Sequence, residues 1–372
     1  MKTKIKNLLV WQPDGSFCPG SLCMENGCFV ADTNADEVID GNGMLAIPGL
    51  IDLHTHGRIR ADFCDATEQQ LADMALDYAR HGTTALAPTL ASDTLDGWKA
   101  AATRIKQANN PSFVAFHLEG RYLSPARRGA HDAKLLVAPD MQEVEEVAAI
   151  VSPLPMRVTF APELDADGSF RRACVRAGYR PSISHTEADY AIACAAIADG
   201  VDCFSHLYNT MPSLFHRAGG PVAAALTHNV HAELICDGVH VSPEMIELAA
   251  RAKGLEYILL VTDSMAGTGC PDGTYAVGAL QVVVKDGKAL TAEGNLAGST
   301  LNLLQGVQNF AAFCHIPFGQ ALHCATTNPA AYIDQTGKLG CLTPGARADL
   351  VLLKTETDKM PTRVMQAGRF VV

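Results

Sequence analysis

Residues 181–206 read PSISHTEADYAIACAAIADGVDCFSH, and this stretch spells out a strand, a helix and a second strand. Pro181 to His185 and Val201 to His206 are short strand-like runs, each ending on a histidine, and the alanine-rich run Glu187 to Ala198 between them predicts a helix. Thr186 followed three residues later by Asp189 matches a capping box, and Gly200 marks the helix end. A strand that returns through a helix to the next strand is a parallel βα unit.

The same alternation extends on both sides. Further strands are expected at Leu50 to His54, Thr83 to Pro88, Phe113 to Glu119, Arg157 to Pro162, Ala232 to Cys236 and Tyr257 to Asp263. Helices are expected at Thr67 to Arg80, Leu95 to Ala108, Met141 to Val151 and Pro243 to Ala252. Eight consecutive units most simply close into an α/β (β/α)8 TIM barrel, whose chemistry sits at the C-terminal ends of its strands. A doubly wound open sheet is the alternative, but no GxGxxG follows the first strand.

The barrel is assigned to residues 47–340. Both chain ends, 1–46 and 341–372, carry short strand-like pieces between turn residues, as in ADLVLL and GRFVV, and are expected to form one small β-sandwich. Tyr275 to Ala292 reads as a hairpin turning at KDGK, which either caps the barrel or joins the small domain.

Composition narrows the function. The net charge of −11 and the absence of any Lys/Arg run argue against a nucleic-acid partner. No apolar run approaches a membrane span, and MKTKIKNLLVWQPDG has too short an apolar stretch for a secretory signal, so no membrane association and a cytoplasmic location are expected. The 12 cysteines are scattered without a CxxC pair and read as buried free thiols.

The polar residues gather where barrel chemistry is expected. Asp52, His54 and His56 share one face of the first strand, because side chains alternate with period two. Glu119, His185, His206 and Asp263 close the third, fifth, sixth and eighth strands. Each alone reads as a hydrogen-bonded core or loop residue; His54, His56, Glu119, His185, His206 and Asp263, six residues of metal-ligating type at one rim, together point to a metal. Imidazole and carboxylate together suit zinc, iron or another divalent transition metal rather than calcium. A catalytic metal activates water, and Asp263 is the carboxylate expected to take that water's proton and return it to a leaving amine.

The ordered motifs PGLIDLHTHG, HLEGRYLSP, ISHTEAD, SHLYNTM, ICDGVHV, LLVTDSMAGTG and NLAGST resemble the N-acetylglucosamine-6-phosphate deacetylases of the amidohydrolase superfamily. The resemblance covers nearly the whole chain, with SHLYN-x-M and TDSM its specific parts. It implies hydrolysis of a phosphorylated N-acetyl amino sugar, with Glu119, His185 and His206 on one metal and Asp263 as acid/base. Some members of that family keep an HxH on the first strand and hold a second metal, with the glutamate bridging, while others have lost those histidines and use one; this sequence keeps His54 and His56, so one or two ions per subunit are implied. It further implies that Asn209, Thr210, Arg217 and His240 hold the sugar phosphate, with Arg217 reaching the neighbouring subunit of a homodimer. His131 is placed beside the acetyl group, where it would donate to the carbonyl oxygen.

The sequence departs from the family at Arg121, where proline is usual, and at Gly57, Arg58, Ile59 and Arg60, which replace a glycine-rich segment. These cations are expected to contact an anionic substrate, to alter which sugar or acyl group fits, or to pair with Asp62 and Asp65. The competing readings are the galactosamine epimer's deacetylase, another amide hydrolase of the superfamily, and an inactive barrel scaffold. Dihydroorotase-like enzymes typically bridge their metals with a carboxylated lysine, where this chain has Glu119.

Overall fold

A computed structural model describes residues 2–278 and 280–372. Eight parallel strands stand side by side in sequence order: β1 (Leu50–Thr55), β2 (Thr83–Leu90), β3 (Phe116–Glu119), β4 (Met156–Phe160), β5 (Arg180–Ile183), β6 (Cys203–Phe204), β7 (His231–Ile235) and β8 (Ile258–Val261). The ring closes just beyond the last strand. The Asp263 N–H donates to His54 O at 2.9 Å, and the His56 N–H donates to Ser264 O at 2.8 Å. The expected barrel is therefore present.

Each strand is followed by a helix that packs outside it: α1 (Glu68–Arg80), α2 (Leu95–Ala108), α3 (Met141–Val151), α4 (Ser169–Arg176), α5 (Tyr190–Ala198), α6 (Gly220–Thr227), α7 (Pro243–Lys253) and α8 (Leu303–Phe313). In α2 the spacing of Trp98, Ala101, Ala102 and Ile105 lays an apolar stripe on the barrel, and Thr94 caps its start.

The expected capping box at Thr186 is corrected. Asp189 is itself the N-cap and accepts from the Ile192 N–H at 2.8 Å, so α5 begins three residues late. Thr186 instead donates to Glu163 and accepts from the Ala188 N–H at 2.9 Å. The cause lies one residue earlier: His185 has φ 46°, which turns the chain off β5 and leaves residues 186–189 to redirect it before a helix can start.

The chain ends meet in one mixed sheet of eight strands, five from Thr3–Trp11 to Leu45–Pro48 and three from Leu350–Leu353 to Arg369–Phe370. A bulge between Ile5 and Leu8 lets the first strand pair with Glu37–Asp40 through one half and with Leu45–Pro48 through the other. Paired bonds between Phe29 and residues 345–346 roll the sheet over its own core of Ile5, Leu22, Phe29, Leu350 and Leu352.

The expected hairpin proves to be part of a four-stranded antiparallel meander, Gly273–Val277, Leu280–Lys285, Lys288–Leu290 and Leu296–Ser299. Asp286 and Gly287, with φ 51° and 75°, make the tight turn expected at KDGK. The Ser299 N–H donates to Asp263 O at 2.7 Å, which ties the meander to the mouth of the barrel. None of the described helices is long and apolar enough to cross a membrane. All twelve cysteines are free; burial holds for half of them, while Cys18 is exposed and Cys28, Cys64, Cys194, Cys270 and Cys341 are half-buried.

Candidate metal centre and active site

His185, His206 and Asp263 each sit two residues past the ends of β5, β6 and β8, and all three have left-handed backbones, with φ of 46°, 29° and 49°. Non-glycine residues adopt this conformation at a cost of roughly 1–3 kcal/mol, and such strain collects at functional sites. The turn brings each side chain to the barrel axis, where His54, His56 and Glu119 arrive from β1 and β3.

Glu119 is the centre of the cluster. Its Oε1 lies 2.7 Å from His206 Nε2 and 3.4 Å from His185 Nε2, and those two nitrogens are 3.2 Å apart. Its Oε2 lies 2.9 Å from His56 Nε2 and 3.2 Å from His54 Nε2, while Asp263 Oδ1 is 3.3 Å and 3.7 Å from the same nitrogens. Each carboxylate oxygen thus faces its own pair of imidazoles. Ligand atoms on a tetrahedral ion at 2.0–2.1 Å stand about 3.3 Å from one another, so the spacing fits a divalent metal on either side. Two buried ring nitrogens, His54 Nε2 and His56 Nδ1, have no hydrogen-bond partner among the described residues. For Nε2 of His54, a metal on its side of Glu119 would supply the missing contact.

Electrostatics point the same way. Burial works against a charged imidazole, yet the Glu119 and Glu233 carboxylates hold His54 well above its ordinary value, and Asp263 and Glu119 raise His56 to about 10. Burial likewise opposes ionisation of Asp263, but the hydrogen bond and charge of His56 with the charge of His54 bring it down to about 2. Burial opposes ionisation of Glu119 too, but the charge of His54 and hydrogen bonds from His185, His206 and His54 hold it well below the usual carboxylate range. The cluster demands positive charge at its centre, and a divalent ion would provide it.

Other groups orient the ligands. His54 Nδ1 is 2.8 Å from Glu233 Oε2, His185 Nδ1 is 2.9 Å from Arg127 O, and His206 Nδ1 is 3.2 Å from Ser184 Oγ. His131 is buried, its Nδ1 2.8 Å from Ser92 Oγ and 3.3 Å from the Ser92 N–H, which donates to it. Accepting at Nδ1 leaves the hydrogen on Nε2, 3.9 Å from Glu119 Oε2. Burial, with the neighbouring His185 charge, pushes His131 down to about 3, so it is a neutral donor.

Above the cluster opens a cavity of about 390 Å³, floored by His56, Glu119, His185, His206 and Asp263. His131, Asn209, Thr210 and His240 line it, as does the meander edge from Asn295 to Gly298. His240 Nδ1 is held by Asp237 at 2.6 Å, leaving Nε2 as its unengaged nitrogen. Arg217 does not line the cavity of its own chain. It is exposed on a loop with Leu214 and Phe215, its guanidinium 5.0 Å from the Phe215 ring centre.

The extra cations expected beside the substrate do not line the cavity either. Arg58 is buried against Asp77, Arg60 lies over the Tyr275 ring at 5.4 Å, and Arg121 pairs with Glu143 at 3.0 Å. Among the described residues none of them pairs with Asp62 or Asp65, the expected partners. Sequence reading passed over Ser92, Glu233, Arg157 and Arg128. Of these Arg128 lines the cavity and makes no ion pair among the described residues, whereas its neighbour Arg127 is paired with Glu187. The doubled cation in RRGAHD was the available signal for it; Glu233 lies in an apolar strand and gave none.

The amidohydrolase family model matches residues 45–371. A Vibrio furnissii N-acetylglucosamine-6-phosphate deacetylase is 34% identical over 316 residues, 83% of this chain and 79% of the relative. An Escherichia coli O157:H7 N-acetylgalactosamine-6-phosphate deacetylase is 33% identical over 322 residues, 85% of each chain. Among solved structures, a Mycobacterium smegmatis N-acetyl-D-glucosamine-6-phosphate deacetylase mutant in complex with N-acetyl-D-glucosamine-6-phosphate superposes with a TM-score of 0.91 at 31% identity, covering 100% of this chain and 99% of its own. With a closed barrel, a two-sided histidine and carboxylate cluster and matches of this extent, the chain belongs to the amidohydrolase family, among its N-acetylglucosamine-6-phosphate deacetylases.

Proposed function

We propose that this chain hydrolyses N-acetylglucosamine 6-phosphate to glucosamine 6-phosphate and acetate. The observation that carries the reading is Glu119, with one oxygen facing His185 and His206 and the other facing His54 and His56, on the floor of a cavity of sugar-phosphate size. Glu119, His185 and His206 would hold one divalent ion and His54 and His56, with Glu119, a second; zinc is our assignment and iron the alternative. Such an ion supplies Lewis acidity and lowers the pKa of water at the site.

The chain's own groups do the rest. Asp263, ionised and buried at the cavity floor, takes a proton from the attacking water and delivers it to the departing nitrogen, which is too basic to leave as an anion. His131 donates from Nε2 to the carbonyl oxygen as negative charge gathers there, and Ser92 keeps that nitrogen protonated. Asn209, Thr210 and His240 bind the sugar phosphate. Arg217 supplies a planar cation to the phosphate bound by the other subunit of a homodimer, which accounts for its place outside its own cavity beside exposed Leu214 and Phe215.

The galacto epimer is the second reading, favoured by the 33% identity to the E. coli relative of that name. Acetate release from the two 6-phosphates and from unphosphorylated N-acetylglucosamine decides between them. Preference for the gluco 6-phosphate supports the first reading, preference for the galacto 6-phosphate the second, and release from none of the three sinks both.

A further inference from the structure

Of the four imidazoles around Glu119, only His54 gives its second nitrogen to a charged acceptor. His185 bonds a backbone carbonyl, His206 a hydroxyl, and His56 Nδ1 has no partner among the described residues. Glu233, fully buried on β7, places Oε2 2.8 Å from His54 Nδ1, and the same oxygen accepts the His206 backbone N–H at 3.2 Å. Its other oxygen is paired with Arg157 of β4, also fully buried, whose guanidinium additionally donates to Leu53 O and lies 5.3 Å from the Tyr332 ring centre.

A carboxylate accepting from Nδ1 fixes which nitrogen carries the hydrogen, turns the Nε2 lone pair outward and makes it a stronger donor to a metal. Arg157 keeps that carboxylate ionised where water cannot reach it, since an unpaired buried charge would be costly. The arrangement runs from barrel core to metal centre through Arg157, Glu233 and His54, and it reaches only one of the two sides of Glu119 through a ligand side chain.

We infer that Glu233 is a positioning residue for the metal on the His54 and His56 side, setting that ion's affinity through the orientation and basicity of His54. The inference rests on the metal-centre reading above and adds that the two ions depend on different supports.

The test is a metal count and a competitive zinc titration against a chelator, on wild type and Glu233→Gln. The wild type should bind two ions per chain. In the variant one ion should weaken by roughly 10–100-fold, the usual effect of losing such an outer partner, while the other keeps its affinity. In a His54→Gln background, Glu233→Gln should change nothing further, which identifies the ion concerned. Because the neutral amide of Glu233→Gln would leave Arg157 uncompensated, the double variant Glu233→Gln, Arg157→Met is titrated as well. Selective loss of the same ion in this double variant supports the inference; recovery of both affinities would overturn it, as the single variant's defect would then be one of folding. Two ions bound equally well by wild type and Glu233→Gln would also overturn it while leaving the metal centre standing. A wild type that binds one ion or none removes the second site, and the inference with it; only the absence of both ions counts against the metal centre itself.

Discussion

The division of labour around the acetyl group rests on single side chains. Asp263→Asn should retain its metal, because Glu119 and the histidines remain, and should lose turnover by at least ~10²-fold, the usual scale for a positioned acid/base; near-normal acetate release from that variant would take Asp263 out of the role. Ser92→Ala removes a contact that His131 makes at 2.8 Å, but the Ser92 N–H still reaches the same nitrogen. A fall in kcat smaller than that of His131→Ala is therefore expected, with KM little changed. The phosphate is a separate matter. Arg128, which lines the cavity without an ion pair among the described residues, is proposed to join Arg217 at the phosphate; Arg128→Ala and Arg217→Ala should raise KM for the 6-phosphate by roughly 10-fold or more each, as expected for a lost charge-assisted bond of about 1.5–3 kcal/mol, and should leave unphosphorylated sugar unaffected. Equal damage to both substrates would show that these guanidinia do not read the phosphate.

At the level of elements, the strand ends were the legible part. Apolar runs closing on His, Glu or Asp marked where the barrel rim would be, and α2 and α3 span the residues expected of them. What could not be read came from contacts between distant strands. Glu233 interrupts an apolar strand and gains meaning only because β1 and β4 bring His54 and Arg157 to it. The start of α5 was missed because nothing local announces the left-handed turn at His185. The meander edge was likewise invisible as a site element, although Gly298 shows its importance: φ is 68°, and a Cβ there would lie 3.0 Å from Asp263 O. Gly298→Ala should displace Asp263 and lower kcat by about 10²-fold, the order expected when a catalytic group shifts by an ångström, with the far-ultraviolet circular dichroism unchanged. Full activity in that variant would mean that the meander does not position the carboxylate.

Across the whole molecule, the barrel supplies the histidine and carboxylate cluster and the meander one wall of the cavity, and the proposed homodimer would add Arg217 from a second copy of the chain. Arg217 offers a direct check of that last part. Asp263→Asn chains and Arg217→Ala chains, co-assembled, should form hybrids in which one site has both an intact Asp263 and its partner's Arg217. At low substrate such a mixture should recover about a quarter of wild-type activity, since about half of randomly paired dimers are hybrids with one sound site each. Activity no greater than the sum of the two parents would place Arg217 outside the neighbouring site. The central claim is that a metal held around Glu119 performs this hydrolysis, and it is tested most directly by acetate release from N-acetylglucosamine 6-phosphate as zinc is titrated into metal-stripped protein. The account predicts no release from the stripped protein and activity rising with bound ion to a plateau at one or two per chain; undiminished release by metal-free protein would contradict it.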